Sequence, residues 1–212
     1  HGGYWFELDK SVYSEVAGPM VSAGITTVLP NYDLCPAVSI SDIVTQVRAA
    51  LYWVYKNIAQ YNGNPNNIFV SGHSAGGHLT GMMMATDWHD AHQIPRDVVK
   101  GTAPLSGLFD IEPHRHTNLQ PHIRLTKEDV VNNSPQNLPV NFDGWMICAV
   151  GGGETDAFRR QSKDYSEKCS QLGVDTKYIE TGNDHHFQIT DRLADSKDQL
   201  TSELIKRMLK KH

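Results

Sequence analysis

Only three cysteines occur in the chain, Cys35, Cys148 and Cys169, and none forms a C-x-x-C pair. An odd number spread this widely gives no disulfide framework and implies a reducing, cytoplasmic setting. Long apolar runs are also lacking. A stretch such as 145–150 falls far short of the roughly 20 residues a spanning helix needs, so no membrane association is expected. The 19 basic and 24 acidic residues are interspersed, with a formal charge of -5, so no basic stripe is available for nucleic acid. No repeat, low-complexity tract or linker divides the sequence. At 212 residues with 39% hydrophobic content, a single domain over 1–212 is expected. Oligomeric state is not legible, and a homodimer is one option. The chain opens on His1 without a charged and apolar signal pattern, and the expectation is that an N-terminal portion is missing.

What is present is an alternation of strand and helix patterns. Apolar or β-branched runs at 25–30, 68–71, 100–105, 145–150 and 174–179 are separated by helical stripes. This predicts an α/β fold: a mostly parallel sheet with helices on both faces. Ile43, Val44, Val47, Leu51, Val54 and Ile58 define one helix, with Ser41 as the expected N-cap. Other stripes are Leu8, Val12, Val16 and Met20, closed by Gly24; Phe158, Tyr165, Cys169 and Leu172, closed by Gly173; and Leu200, Leu204 and Met208, followed by Lys210 and Lys211. Residues 106–143, rich in Pro, His and Asn, read as a small lid or insertion with one short helix around 126–131.

Chemistry concentrates at GHSAGGHL, 72–79, where Ser74 stands between glycines directly after an apolar run. In a nucleophile elbow a strand ends, one residue turns sharply with its side chain exposed, and a helix begins, so small flanking residues are required. A serine hydroxyl is a weak nucleophile and needs a histidine base oriented by a carboxylate. In this architecture the order is serine, acid, histidine. Downstream of the later strand runs lie GGGETDAF, 151–158, and GNDHHF, 182–187. Asp156 would sit in the first turn of the following helix, where the dipole already favours a carboxylate, so Glu154 is the better acid. Spacing leaves His185 and His186 open as the base.

The opening HGGYW is expected to supply backbone donors for a developing oxyanion, from Gly2, Gly3 and Tyr4, together with the N–H of Ala75 after the nucleophile. Trp5, Leu108 and Phe109 are candidates for the substrate pocket, and Met82, Met83 and Met84 for the core. His89, His92, His114, His116 and His122 lack the convergent carboxylate or cysteine company of a metal site, so no metal is expected.

HGGYW, NYDLCP at 31–36, GHSAGGHL, GGGETDAFRRQS at 151–162 and HHF at 185–187 together resemble the α/β-hydrolase esterases, within them the kynurenine formamidase-like (arylformamidase) branch. The resemblance runs over nearly the whole chain. It implies an α/β-hydrolase fold with Ser74 as nucleophile, Glu154 as acid and His186, directly before phenylalanine, as base. It further implies no cofactor and a small acyl substrate, a formyl anilide such as N-formylkynurenine. Departures are HGGY where many relatives in the wider esterase group have HGGG, and Glu154 where some formamidases have aspartate. The alternatives are a short-chain carboxylesterase and an inactive hydrolase-fold binding module. Because strands normally precede the HGG loop in this fold, that loop is expected to lack its anchor.

Overall fold

Four short runs become parallel strands of one sheet, the central two buried on both faces and the outer two only partly so. In the computed structural model, which describes residues 1–210, these are β1 (Ile68–His73), β2 (Val99–Leu105), β3 (Trp145–Gly151) and β4 (Asp175–Thr181), hydrogen-bonded in the order β1-β2-β3-β4. The helices are α1 (Ala17–Ser22), α2 (Ile40–Asn57), α3 (Ala75–Ala85), α4 (Trp88–His92), α5 (Gln120–Ile123), α6 (Lys127–Asn133), α7 (Asp156–Gln171), α8 (Gln188–Ala194) and α9 (Gln199–Leu209).

Strand β3 is buried along its whole length, and its period of two divides the core. Trp145, Ile147 and Ala149 face α1, α8 and α9 through Met20, Ile189 and Leu204. Met146 and Cys148 face the other way, against Tyr165 and Cys169 of α7 and Met84 of α3. Helix α3 is buried nearly all round: Met82, Met83 and Met84 are each 1% exposed, as expected for core residues.

Helix α2 forms where its apolar stripe predicts, but its cap is Ser39 rather than Ser41. Ser39 accepts from the Asp42 N–H at 3.1 Å, and the Asp42 carboxylate accepts the Ser39 N–H at 2.9 Å, a reciprocal box worth about 1 kcal/mol. Ser41 instead bonds into the insertion, accepting from Asn133 Nδ2 at 2.8 Å. The stripe from Leu8 to Met20 splits into a 3₁₀ segment, Lys10–Val16, and the short α1. Gly24 and Gly173 close their helices at φ +80° and +92°, conformations that favour glycine. Lys210 follows α9; Lys211, expected to face the same dipole, lies outside the described residues.

The run at 25–30 is not a strand. Its burial alternates with period two, yet it pairs with no strand among the described residues. Together with β1 it lines a groove of about 450 Å³. The alternation sets which side chains turn inward, but a ladder also needs a neighbour within hydrogen-bonding distance.

Residues 106–143 are built into the core rather than forming a free flap. Besides α5 and α6 they carry 3₁₀ segments Glu112–His116 and Pro135–Asn137, more helical structure than the single piece expected. Ile111, Ile123 and Leu125 are buried. The Lys168 ammonium of α7 donates to the carbonyls of Pro135, Gln136 and Leu138 at 2.9, 3.0 and 2.5 Å.

Candidate active site

Strand β1 ends at His73 and α3 begins at Ala75, leaving Ser74 alone at the turn with φ +58° and ψ -118°. A non-glycine residue held there is strained by about 1–3 kcal/mol, and the surroundings must over-determine it. They do: the Ser74 N–H donates to the Leu105 carbonyl of β2 at 2.9 Å, and its own carbonyl accepts the His78 N–H at 3.0 Å. A Cβ on Gly72 would lie 2.2 Å from the Gly76 carbonyl oxygen, so the two glycines of G-x-S-x-G are needed to let strand and helix touch.

The opening loop reaches this elbow. A Cβ on Gly2 would lie 3.2 Å from Ser74 Cβ, which places the Gly2 backbone against the nucleophile candidate. Gly3, Tyr4 and Trp5 follow with φ of +106°, +46° and +66°, closed by the Gly3 carbonyl accepting the Glu7 N–H at 2.9 Å. The loop was expected to lack an anchor; it is tied down from the side. Trp5 has 0% exposure and its indole N–H donates to His78 Nδ1 at 3.1 Å, while His78 Nε2 lies 2.7 Å from the Asn133 carbonyl. Tyr32 donates to the His1 carbonyl at 2.7 Å, and the Cys35 N–H to the Trp5 carbonyl at 2.8 Å. The NYDLCP motif thus anchors HGGYW.

The acid and base candidates meet beyond the C-terminal ends of β3 and β4, where open α/β sheets place their sites. His186 Nδ1 lies 2.6 Å from Glu154 Oε2. Glu154 Oε1 accepts from the Ser106 hydroxyl at 2.5 Å and the Gly151 N–H at 2.8 Å. Burial pushes the Glu154 carboxyl up, but hydrogen bonds from His186, Ser106 and Gly151 outweigh it and leave the group below its ordinary range. The carboxylate is therefore ionised and accepts the Nδ1 hydrogen, which in the neutral imidazole puts the lone pair on Nε2. Gly151, Gly152 and Gly153 permit this meeting, because a Cβ on any of them would lie within 2.5 Å of a carbonyl oxygen of 182–184. Among the described residues no hydrogen bond joins Ser74 Oγ to His186. In unliganded hydrolases that bond is often long and tightens with substrate.

The rival candidates lie apart. The Asp156 side chain is 95% exposed and pairs with Arg159 at 2.6 Å. His185 is exposed, and its Nδ1 accepts the Phe187 N–H at 3.3 Å. Trp5, Leu108 and Phe109, expected near the substrate, are at most 2% exposed, and Phe109 stacks on Tyr165 at 4.1 Å. All three pack in hydrophobic clusters, drawn inward by the area a large apolar side chain buries. The histidines also have local roles: His122 stacks on Phe6 at 4.6 Å, and His116 Nε2 lies 3.2 Å from Glu112 Oε1.

Ser106 escaped the sequence reading, since nothing local marks a serine that bonds 48 residues away. It is fully buried at φ +47°. Ser106→Ala removes a hydrogen bond to a buried charge, expected to cost about 1.5–3 kcal/mol of stability. Turnover should also fall about tenfold as Glu154 loosens, since small misplacements of catalytic groups are costly. Denaturant melts and steady-state kinetics would check both.

A family profile described as the alpha/beta hydrolase fold matches residues 1–189. The chain is 32% identical to the kynurenine formamidase of Salmo salar, over 98% of this chain and 71% of that protein. It is also 32% identical to the esterase LipQ of Mycobacterium tuberculosis, over 87% of this chain and 48% of that protein. A crystal structure of a protein provisionally assigned as a thioesterase, from a Silicibacter species, superposes with TM-score 0.80 at 28% identity, over 99% of this chain and 74% of that one. Because the profile and the formamidase alignment span the elbow, the acid loop and the base loop, the chain belongs to the α/β-hydrolase fold family, in its kynurenine formamidase-like branch.

Proposed function

We propose that this protein is a serine hydrolase of the arylformamidase type. Ser74 Oγ attacks the formyl carbon of a formyl anilide while His186 Nε2 takes its proton. Negative charge developing on the formyl oxygen is met by backbone N–H groups of Ala75 and of the Gly2–Gly3–Tyr4 loop. His186 then gives the proton to the departing aniline nitrogen, and a water molecule, deprotonated by the same imidazole, releases formate. Glu154 keeps the imidazole in the tautomer that can do this. The observation that carries the reading is the 2.6 Å contact of Glu154 with His186 on loops beside an elbow serine at φ +58°. The formamidase relative from Salmo salar supports formyl as the acyl group. No helix among the described residues is long and apolar enough to cross a membrane, and the substrate is proposed to be a small molecule.

The esterase LipQ relative favours a second reading, a short-chain carboxylesterase using the same three residues. The two differ in what the acyl pocket admits. Formyl needs almost no acyl space, whereas each methylene that fits an esterase pocket adds about 1–3 kcal/mol of discrimination. We expect kcat/KM to be highest for N-formylkynurenine, lower for p-nitrophenyl acetate and lower again for the butyrate. Best hydrolysis of the butyrate, with N-formylkynurenine untouched, would establish the carboxylesterase instead.

A further inference from the structure

His73, the residue before Ser74, takes no part in the proton transfers above, yet both of its ring nitrogens are engaged. Its Nε2 lies 2.8 Å from the backbone carbonyl oxygen of His186, and its Nδ1 lies 3.1 Å from the Tyr13 hydroxyl. A carbonyl oxygen only accepts, so Nε2 carries the hydrogen; Nδ1 is then a lone pair, and Tyr13 is the donor to it. The ring is 3% exposed, and burial, with His186 adding to it, pushes its pKa down to about 3. It is neutral wherever the enzyme works. The Tyr13 oxygen also packs on Gly2, where a Cβ would come within 2.6 Å of it. One line of contacts therefore runs from the HGG loop through Tyr13 and His73 to the main chain of His186.

We propose that His73, oriented by Tyr13, is a positioning residue that fixes the backbone of His186 and thereby where the base nitrogen stands relative to Ser74. The bond from Glu154 holds only one corner of the His186 ring, and the residue lies in a turn outside helix and strand. A single side-chain bond leaves the ring able to swing as its backbone shifts. The bond from His73 supplies the second fixed point, on the carbonyl, from an element rigidly attached to the nucleophile. The two imidazole rings are 4.5 Å apart, so a charged residue at this position would oppose the imidazolium formed during turnover. A buried, neutral imidazole donates the bond without that repulsion.

This inference rests on the reading of Ser74, Glu154 and His186 as the catalytic set. The test compares His73→Leu, His73→Gln and Tyr13→Phe with the parent, measuring kcat and KM on p-nitrophenyl acetate and counting active sites with a fluorophosphonate. For His73→Leu we expect kcat per titrated site to fall about 10- to 100-fold, with KM changed by no more than about twofold. His73→Gln, whose amide nitrogen can reach the same carbonyl, should recover much of the loss, and Tyr13→Phe should show a smaller loss of the same kind. A residue that merely supports the fold would lower the number of titratable sites and leave kcat per site unchanged. Unchanged kcat per site in His73→Leu, or in Tyr13→Phe where His73→Leu does not fold, overturns the proposal, as does equal loss in the Leu and Gln variants. A parent enzyme that turns over substrate without labelling at Ser74 would instead overturn the catalytic reading itself, and this inference with it.

Discussion

Ser74→Ala is expected to lower kcat by about four to six orders of magnitude while leaving the fold intact. The elbow is held by main-chain bonds from Ser74 to Leu105 and from His78 to Ser74, which alanine keeps, and the strain of a left-handed φ is the same for both residues. The melting temperature should therefore stay near that of the parent. The cysteines do not stand ready to substitute. Cys35, Cys148 and Cys169 are all buried, and burial raises their thiols, Cys35 and Cys169 to about 11, so none offers a thiolate at neutral pH. Turnover within tenfold of the parent would remove Ser74 from the mechanism.

Glu154→Gln is expected to cost on the order of 10⁴ in kcat, close to the loss for His186→Ala, because it should invert the imidazole tautomer. Oε1 of Glu154 accepts from both Ser106 and Gly151, so the glutamine oxygen must remain on that side. The new amide nitrogen then faces His186 and donates to Nδ1, moving the ring hydrogen to Nε2, where a lone pair is needed. Asp156→Asn and His185→Ala change exposed side chains outside this contact, and activity within about twofold of the parent is expected, as for other surface changes. A greater loss from either of these than from Glu154→Gln or His186→Ala would mean that the wrong carboxylate or the wrong imidazole has been chosen. The measurement is kcat/KM for the four single variants side by side, with circular dichroism to confirm folding.

Features that depend on neighbours in the chain were legible in the sequence. The four strands of the sheet, the stripe of α2 and the G-x-S-x-G turn all follow from local spacing. What was not legible depends on residues brought together from afar. The run at 25–30 has strand periodicity and no partner. The Ser39 cap is local, a box closed by Asp42 three residues on, but the engagement of Ser41 by Asn133 spans 92 residues. The support behind the candidate site is also long in range: Ser106 to Glu154 spans 48 residues, Tyr13 to His73 spans 60, and His73 to His186 spans 113. Periodicity carries no information at those separations. The anchoring of HGGYW by Tyr32 and the Cys35 backbone belongs to the same class, which is why the loop read as unanchored. A large apolar side chain next to a candidate catalytic loop fits a pocket or a core equally well, so local sequence gives Trp5 and Phe109, both buried, no distinguishing mark.

The central claim is that Ser74 forms a covalent intermediate, and the most direct test is to identify where a fluorophosphonate attaches. The probe would be added to the protein, the chain digested, and the modified peptide located by mass spectrometry. The predicted result is a single adduct on the Ser74 hydroxyl, formed in step with loss of activity, absent from Ser74→Ala and strongly slowed in His186→Ala. Hydrolytic activity that survives with no adduct, or an adduct on a different residue, would contradict it.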